Sequence, residues 1–378
     1  MTELEPALRE LRSTCREVAV DLRSRALAVD ARPLEMAAHL DSETLTSLRT
    51  ASTPRRFRDC DDSLFGASYT GSCLARVVAN AELACGDAGI LSANTGASLA
   101  GLAVDALGSD DQQERFYRAI ADGRTWTFFA MTEEARGSDA SAMQTRLDKD
   151  PGGGWRLNGA KRYVANAVRG GIGVVFARTG PSALTIRAAL VQLPAAGFDA
   201  HLLDMIGLRG ACISGLAFDG VRILPDELLG SHLPASRRGM WGAGRVFNVM
   251  RAQIAAQARG VGFAAWGYVR EQRPGWSGLD LMSARLAAAR ALLYDVAATI
   301  DGSPGDRRSP SIAKLHVTDL AVQATRWAEY ALGPGSLAEH PLLEKWCRDV
   351  FAFEFMDGTS NILRLNIAPV PARQGLAS

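Results

Sequence analysis

The sequence predicts an α+β chain in which a helical first third is followed by a compact β unit and then by long helices, with no return to strand. Three observations predict this order. Up to about Arg124, apolar residues recur at three- and four-residue spacing, as in LARVVANAELACGDAGILSANTGASLAGLAVDAL. From Trp126 to about Gly230 the pattern changes to short segments rich in β-branched and aromatic residues, bounded by Gly, Pro and Asn. From about Gly239 the helical spacing returns. The expected units are therefore residues 1–125, 126–230 and 231–378.

Within the first unit, Gly-Ser-Asp at 108–110 marks a break before a helix formed by DQQERFYRAIADG. In the second, WTFFAMTE, GWRLNGAKRYVANA, GIGVVFARTG and LTIRAALVQLP read as strands, and DPGGGW as the tip of a hairpin. In the third, RVFNVMRAQIAAQARGVGFAAWGYV, LMSARLAAARALLYDVAATI and SIAKLHVTDLAVQATRWAEYAL read as helices, separated by QRPGWSG and GSPGDRRSP. No GxGxxG follows a strand, and the order does not suit a βαβ doubly wound sheet, so a Rossmann nucleotide site is unsupported.

Composition narrows the class. The 378 residues are 47% hydrophobic and 22% charged, enough for a substantial core. A net charge of +1 argues against nucleic acid as a partner, because phosphate binding needs a basic face. No window of about eighteen uninterrupted apolar residues predicts a membrane span. The N-terminal segment lacks the apolar core of a signal peptide, and a cytoplasmic protein is expected. Cys15, Cys60, Cys73, Cys85, Cys212 and Cys347 are scattered singly and read as reduced, mostly buried thiols. The five histidines form no ligand cluster, so no metal is expected. Lysine is rare (Lys149, Lys161, Lys314, Lys345) beside abundant Arg and Ala, a bias that by itself assigns no chemistry.

Two stretches carry the functional signal: Met131-Thr132-Glu133-Glu134-Ala135-Arg136-Gly137-Ser138-Asp139, and Met356-Asp357-Gly358-Thr359-Ser360-Asn361-Ile362. At this separation, in a chain of this length, they resemble the acyl-CoA dehydrogenase flavoprotein family, whose patterns there read M-T-E-P-x-x-G-S-D and Y-E-G-T-x-x-I. The α–β–α order also matches that family's N-terminal helical domain, central β-barrel and C-terminal four-helix bundle.

The resemblance implies FAD as cofactor and assigns roles by position. Phe129, Met131 and Thr132 would lie along the flavin, with Gly137 and Ser138 at the pyrophosphate. WRLNGAKRYVANA resembles x-x-L-N-G-x-K-x-W-I-T-N, so Tyr163 stands where an aromatic stacks on the isoalloxazine and Asn166 matches. Ala165 replaces a Thr whose hydroxyl bonds the flavin, a hydrogen bond of about 0.5–1.5 kcal/mol. Arg209, Phe218, Val221 and Pro225 match the closing barrel segment and read as core and turn residues. Arg273 and Trp276 fall near R-x-x-F-G, where the Arg of one subunit binds the FAD pyrophosphate of its neighbour. Glu329, Gly333 and Gly335 stand where Q-x-x-G-G-x-G contacts the adenine half, and Thr359 and Asn361 would also contact FAD.

Asp357 holds the place of the family's proton-abstracting Glu, with Met356, Gly358 and Arg251 beside the substrate. Asp is one methylene shorter than Glu, and a misplacement of about 1 Å can cost ~10²-fold in rate. Some members carry the base one residue before an Arg on an earlier helix; that slot, before Arg251, is Met250. The family's Gly-rich loop near its acyl pocket is here TPRRFRDCDDSLFGASYT, with Arg55, Arg56 and Arg58 reading as a solvated basic turn or a contact for a carboxylate or phosphopantetheine.

The expected activity is an FAD-dependent acyl-thioester dehydrogenase in bacterial specialised metabolism, on acyl-CoA or acyl carrier protein, with an electron-transfer flavoprotein or another acceptor. A homotetramer or homodimer is expected. A flavin oxidase or monooxygenase of the same fold, and a catalytically inactive carrier-binding scaffold, are the alternatives.

Overall fold

The computed structural model describes residues 4–58, 64–65 and 68–368; Cys60 and part of the charged 53–70 loop lie outside them. The chain begins with helices α1 (Pro6–Ala31), α2 (Glu43–Ser52), α3 (Ser68–Gly71), α4 (Cys73–Leu83), α5 (Ala88–Ala93), α6 (Ser98–Leu107) and α7 (Asp110–Ala119). The sequence-expected break before α7 is a full capping box: the Ser109 hydroxyl accepts from Gln112 N–H while Gln112 Oε1 accepts from Ser109 N–H at 2.9 Å.

Strands β1 (Trp126–Ala130), β2 (Arg146–Lys149), β3 (Trp155–Val164), β4 (Gly170–Arg178), β5 (Ile186–Gln192), β6 (Phe198–Leu202), β7 (Ser214–Ile223) and β8 (Leu228–Leu229) form one sheet, ordered β6-β7-β3-β2-β4-β5-β8 with β1 also on β4. The β2–β3 hairpin turns at Asp150–Gly154, as DPGGGW predicts. β4 is buried on both faces. Ile172, Val174 and Phe176 pack against α6 and α7, while Val175 and Ala177 join Leu157, Leu216, Val221 and Leu228 in a core enclosed by the sheet itself. Side chains from seven strands converge there, so the sheet wraps around its own interior.

One edge of β4 matters for function. β1 runs parallel along its first half, from Gly170 to Val175, and β2 joins it only at Arg178. Between them the chain leaves the edge as a loop and returns. That excursion is the MTEEARGSD stretch.

Long helices α8 (Met240–Gln272), α9 (Leu279–Gly302) and α10 (Arg308–Leu332) follow, then α11 (Ser336–Glu339), α12 (Pro341–Asp349), α13 (Ala352–Phe355) and α14 (Ser360–Ile367). Ala252, Ala255 and Ala256 of α8, Leu286 and Leu293 of α9, and Val317 and Leu320 of α10 share a core with Val77 and Val78 of α4. Small residues let α4 and α8 approach closely: a Cβ on Gly260 would lie 2.8 Å from the Ala81 carbonyl oxygen.

A buried ion triad ties the three regions. Lys345 Nζ lies 2.5 Å from both Asp87 and Asp349, all three side chains being 2% exposed or less. Asp87 Oδ1 also caps α5 through Ile90 N–H, and Asp349 Oδ1 accepts from Leu208 N–H in the β6–β7 connection. Lys345→Met would leave two buried carboxylates facing each other without a cation. It is expected to destabilise the fold by about 3–5 kcal/mol, read as a lower thermal midpoint by circular dichroism.

Candidate active site

Asp357 lies in the turn between α13 and α14, with a left-handed backbone (φ +50) followed by Gly358 (φ +109). Asp tolerates this conformation better than most residues. Two buried cations fix the turn through its carbonyls. Arg251 of α8 donates from Nε to Asp357 O at 2.9 Å, and Lys314 of α10, fully buried, donates from Nζ to Gly358 O at 2.8 Å. From the other side, Glu354 accepts from Ser360 N–H at 3.0 Å and from its hydroxyl, closing the turn upon itself.

The carboxylate is thereby held in place without being consumed. Asp357 Oδ2 is buried with no hydrogen-bond partner among the described residues. Burial pushes its pKa up from 3.8 to about 6, with the Lys314 and Arg251 charges pulling it back. A carboxylate so poised is mostly ionised at pH 7 and still more basic than an ordinary one, the compromise a general base needs. Burial in turn draws Lys314 down to about 8, against the pull of Asp357 and Glu354.

The 131–145 loop is pinched at its base. Glu133 accepts from Gln144 N–H (2.6 Å) and Thr145 N–H (2.8 Å), and Lys161 Nζ reaches both Glu133 Oε1 (3.0 Å) and Met131 O (2.9 Å). The exposed excursion, including Gly137 and Ser138, therefore projects from a fixed neck. Arg162 N–H donates to Thr132 O at 2.9 Å, extending β3 alongside the loop. The next residue, Tyr163, has φ +62 and is 55% exposed, with the Arg162 guanidinium over its ring at 5.4 Å. Ala165 is half-buried near it.

Not every residue singled out from sequence faces this opening. The Met131 side chain is buried in the core against α6, leaving its backbone at the loop neck. Phe129 packs its ring 5.2 Å from Phe176 and 6.0 Å from Phe247, and Phe247 in turn lies under the Arg251 guanidinium. Asn166 is buried and used by the fold: its Nδ2 donates to Ser92 O, and its Oδ1 accepts from Arg169. Arg58 donates to the Thr53 and Ala51 carbonyls at the end of α2, and Arg56 pairs with Asp110. Phe218 and Val221 are sheet core, and Arg209 pairs with Asp30.

Arg273, Trp276, Glu329 and Gly333 form a separate group. Arg273 lies twenty-two residues beyond Arg251, about 33 Å along the axis of α8. It stacks on Trp276 (4.7 Å) and donates to Ala331 O; Trp276 meets the exposed Tyr330 edge-on. Thr359 caps α14 by position, and Asn361 is exposed on its first turn. Met356 is half-buried and packs toward α8 and α12.

Sequence reasoning missed Lys161, Glu133 and Lys314, which organise both halves of the site. The five described cysteines are free, and burial raises their pKa values, Cys347 to about 11 and Cys73 to about 12, so none is an activated thiol.

Comparison with known proteins fits this arrangement. Residues 128–221 match the acyl-CoA dehydrogenase middle domain and 278–370 the C-terminal domain. An acyl-CoA dehydrogenase of Bacillus subtilis is 30% identical over 69% of this chain and 72% of its own. The chain belongs to the acyl-CoA dehydrogenase family. The mouse mitochondrial short-chain specific acyl-CoA dehydrogenase is 28% identical over 97% of this chain and 90% of its own. Among solved structures, butyryl-CoA dehydrogenase from Megasphaera elsdenii superposes with a TM-score of 0.82 at 24% identity, covering 97% of this chain and 98% of that one. A prolyl acyl carrier protein oxidase, AnaB, superposes with a TM-score of 0.80 at 20% identity, covering 97% and 98%.

Members of this family are FAD-dependent oxidoreductases, and the chain is one of them. The residues here suit FAD: an exposed aromatic side chain at Tyr163, an exposed Gly137-Ser138 loop on a rigid neck, and a buried carboxylate oxygen at Asp357 without a partner among the described residues.

If Asp357 is the base, kcat/KM for proton abstraction is expected to rise with pH through about 6 and plateau above it, because only the ionised form accepts a proton. Lys314→Gln keeps a donor for Gly358 O but removes the charge that lowers the Asp357 pKa. The limb is expected to move to higher pH, checked by the pH profile of flavin reduction.

Proposed function

We propose that the protein is an acyl-thioester dehydrogenase in which Asp357 removes the α-proton of a short or polar acyl group carried on CoA or an acyl carrier protein. The observation that carries this reading is the Asp357 carboxylate, with Oδ2 buried and unpartnered and a pKa pushed up to about 6, on a turn locked by Arg251 and Lys314. FAD, when bound, supplies the acceptor for the β-hydride. The chain's own residues do the rest. Asp357 Oδ takes the α-proton as the Cα–Cβ double bond forms, and the turn geometry holds that oxygen still through its carbonyl clamps. Tyr163 and the 133–145 loop would seat the flavin, with Thr132, Ser138, Thr359 and Asn361 nearby.

The distance between Asp357 and the Arg273–Trp276–Glu329–Gly333 group supports assembly. A guanidinium about 33 Å along α8 from the base serves FAD most simply if it reaches the site of a second copy. This favours a homodimer or homotetramer. Reoxidation would then fall to an electron-transfer flavoprotein or another acceptor. Asp in place of Glu, together with likeness to a carrier-protein oxidase, supports a role in bacterial specialised metabolism and makes an oxidase of the same fold the second reading.

The test is anaerobic titration of the FAD-bound protein with short acyl thioesters of CoA and of an acyl carrier protein, followed at the flavin absorbance. One class is expected to bleach the flavin, and Asp357→Asn is expected to retain FAD but slow bleaching by about 10²–10⁴-fold. Bleaching unaffected by Asp357→Asn, or by no thioester at all, would overturn the dehydrogenase assignment; peroxide formation in air would select the oxidase.

A further inference from the structure

A small cavity of about 130 Å³ lies between α4, the chain after α5, α6 and α8. Met250, Gln253 and Gln257 line it from one face of α8, opposite Asn80, Asn94 and Asp105. Met250 immediately precedes Arg251 on α8, and the Arg251 guanidinium holds the Asp357 carbonyl, so this end of the cavity lies one helix position from the residue that clamps the Asp357 turn. Gln257 lies about 10 Å further along α8.

The lining is polar, and its hydrogen bonds are directional. Asn80 Nδ2 donates to Arg76 O at 2.8 Å, which fixes that amide and turns its Oδ1 toward Gln257 Nε2, also at 2.8 Å. Gln257, 8% exposed, commits one N–H to Asn80, and its Oε1 is buried without a partner among the described residues. Asn94 repeats the pattern. Its Nδ2 donates to Leu45 O at 3.2 Å, and its Oδ1 is buried without a partner. Asp105 adds a carboxylate, one oxygen of which accepts from Tyr117 at 2.9 Å. Arg76 is the cation of this lining and acts electrostatically on Asp105.

An alkyl chain would leave these acceptors unpaired, whereas a group carrying N–H or O–H would satisfy them. We propose that this cavity receives the acyl part of the thioester, and that Gln257, Asn94 and Asp105 select a short acyl chain bearing a hydrogen-bond donor, a hydroxyl or an amine. The inference rests on the dehydrogenase reading only in taking the Asp357 turn as the reacting end.

Binding separates the two ideas, because it needs no turnover. In the FAD-bound Asp357→Asn protein, pantetheine thioesters of butyrate, 3-hydroxybutyrate, 3-aminobutyrate and succinate would be titrated by calorimetry. The hydroxyl or amine form is expected to bind at least about tenfold tighter than butyryl. Gln257→Leu is expected to erase that gap, while Asp105→Asn is expected to weaken the amine form alone, which tells the two donors apart. Butyryl binding as tightly as both donor forms would overturn the proposal, and so would succinyl binding tightest, since that would assign the cavity to Arg76. If Gln257→Leu fails to retain FAD, the ligand order in the unaltered lining decides. Failure of every thioester to reduce the unmutated protein would end the dehydrogenase reading and leave the binding order standing.

Discussion

An ammonium group between two buried carboxylates is the constraint on which the rest of the molecule depends. Lys345 joins Asp87, at the start of α5, to Asp349, at the end of α12, and Asp349 also holds the β6–β7 connection through Leu208. Burying three charges is unfavourable unless each is paired, so these regions cannot separate without exposing unmatched charge to a low-dielectric interior. α12 leads directly into α13 and the Asp357 turn. The path of the chain into the Asp357 turn is therefore anchored by this ion cluster.

The same device recurs at smaller scale. Lys161 joins Glu133 to the Met131 carbonyl and fixes the neck of the projecting loop, and Lys314 holds the Gly358 carbonyl. Three of the four lysines in the chain are 2% exposed or less, while the cations of the surface are almost all arginine. A compact ammonium can turn its donors toward any acceptors around it, whereas a planar guanidinium needs a flat fork of them and more room. The three buried lysines, which assigned no chemistry when read as composition, stand in this fold where one ammonium meets carboxylate or carbonyl acceptors.

The two halves of the site are linked through a short aromatic path. Phe129 at the end of β1 meets Phe247, and Phe247 lies against Arg251, which grips the Asp357 turn. The sheet that carries the 131–145 loop and the helices that carry the Asp357 turn are thus positioned by contact rather than by separate loops, which keeps the two in a fixed relation.

By itself the sequence determined the order of helices and strands, because three- and four-residue spacing and short β-branched runs report locally on which face of each element is buried. It also singled out Asp357, the 131–139 loop and Tyr163, since each lies in a contiguous motif. Tertiary structure alone decided which of those residues meet. It turned the Met131 side chain into the core, employed Asn166 in bracing the fold, and set Arg273 and Trp276 apart from the Asp357 turn. It also brought Asn80 to Gln257, 177 residues away, and so left a buried acceptor without a partner on a residue that lines a cavity. Periodicity and motif spacing describe neighbours along the chain, whereas burial of a charge or an amide acquires its meaning only from partners that the folded chain brings from far away.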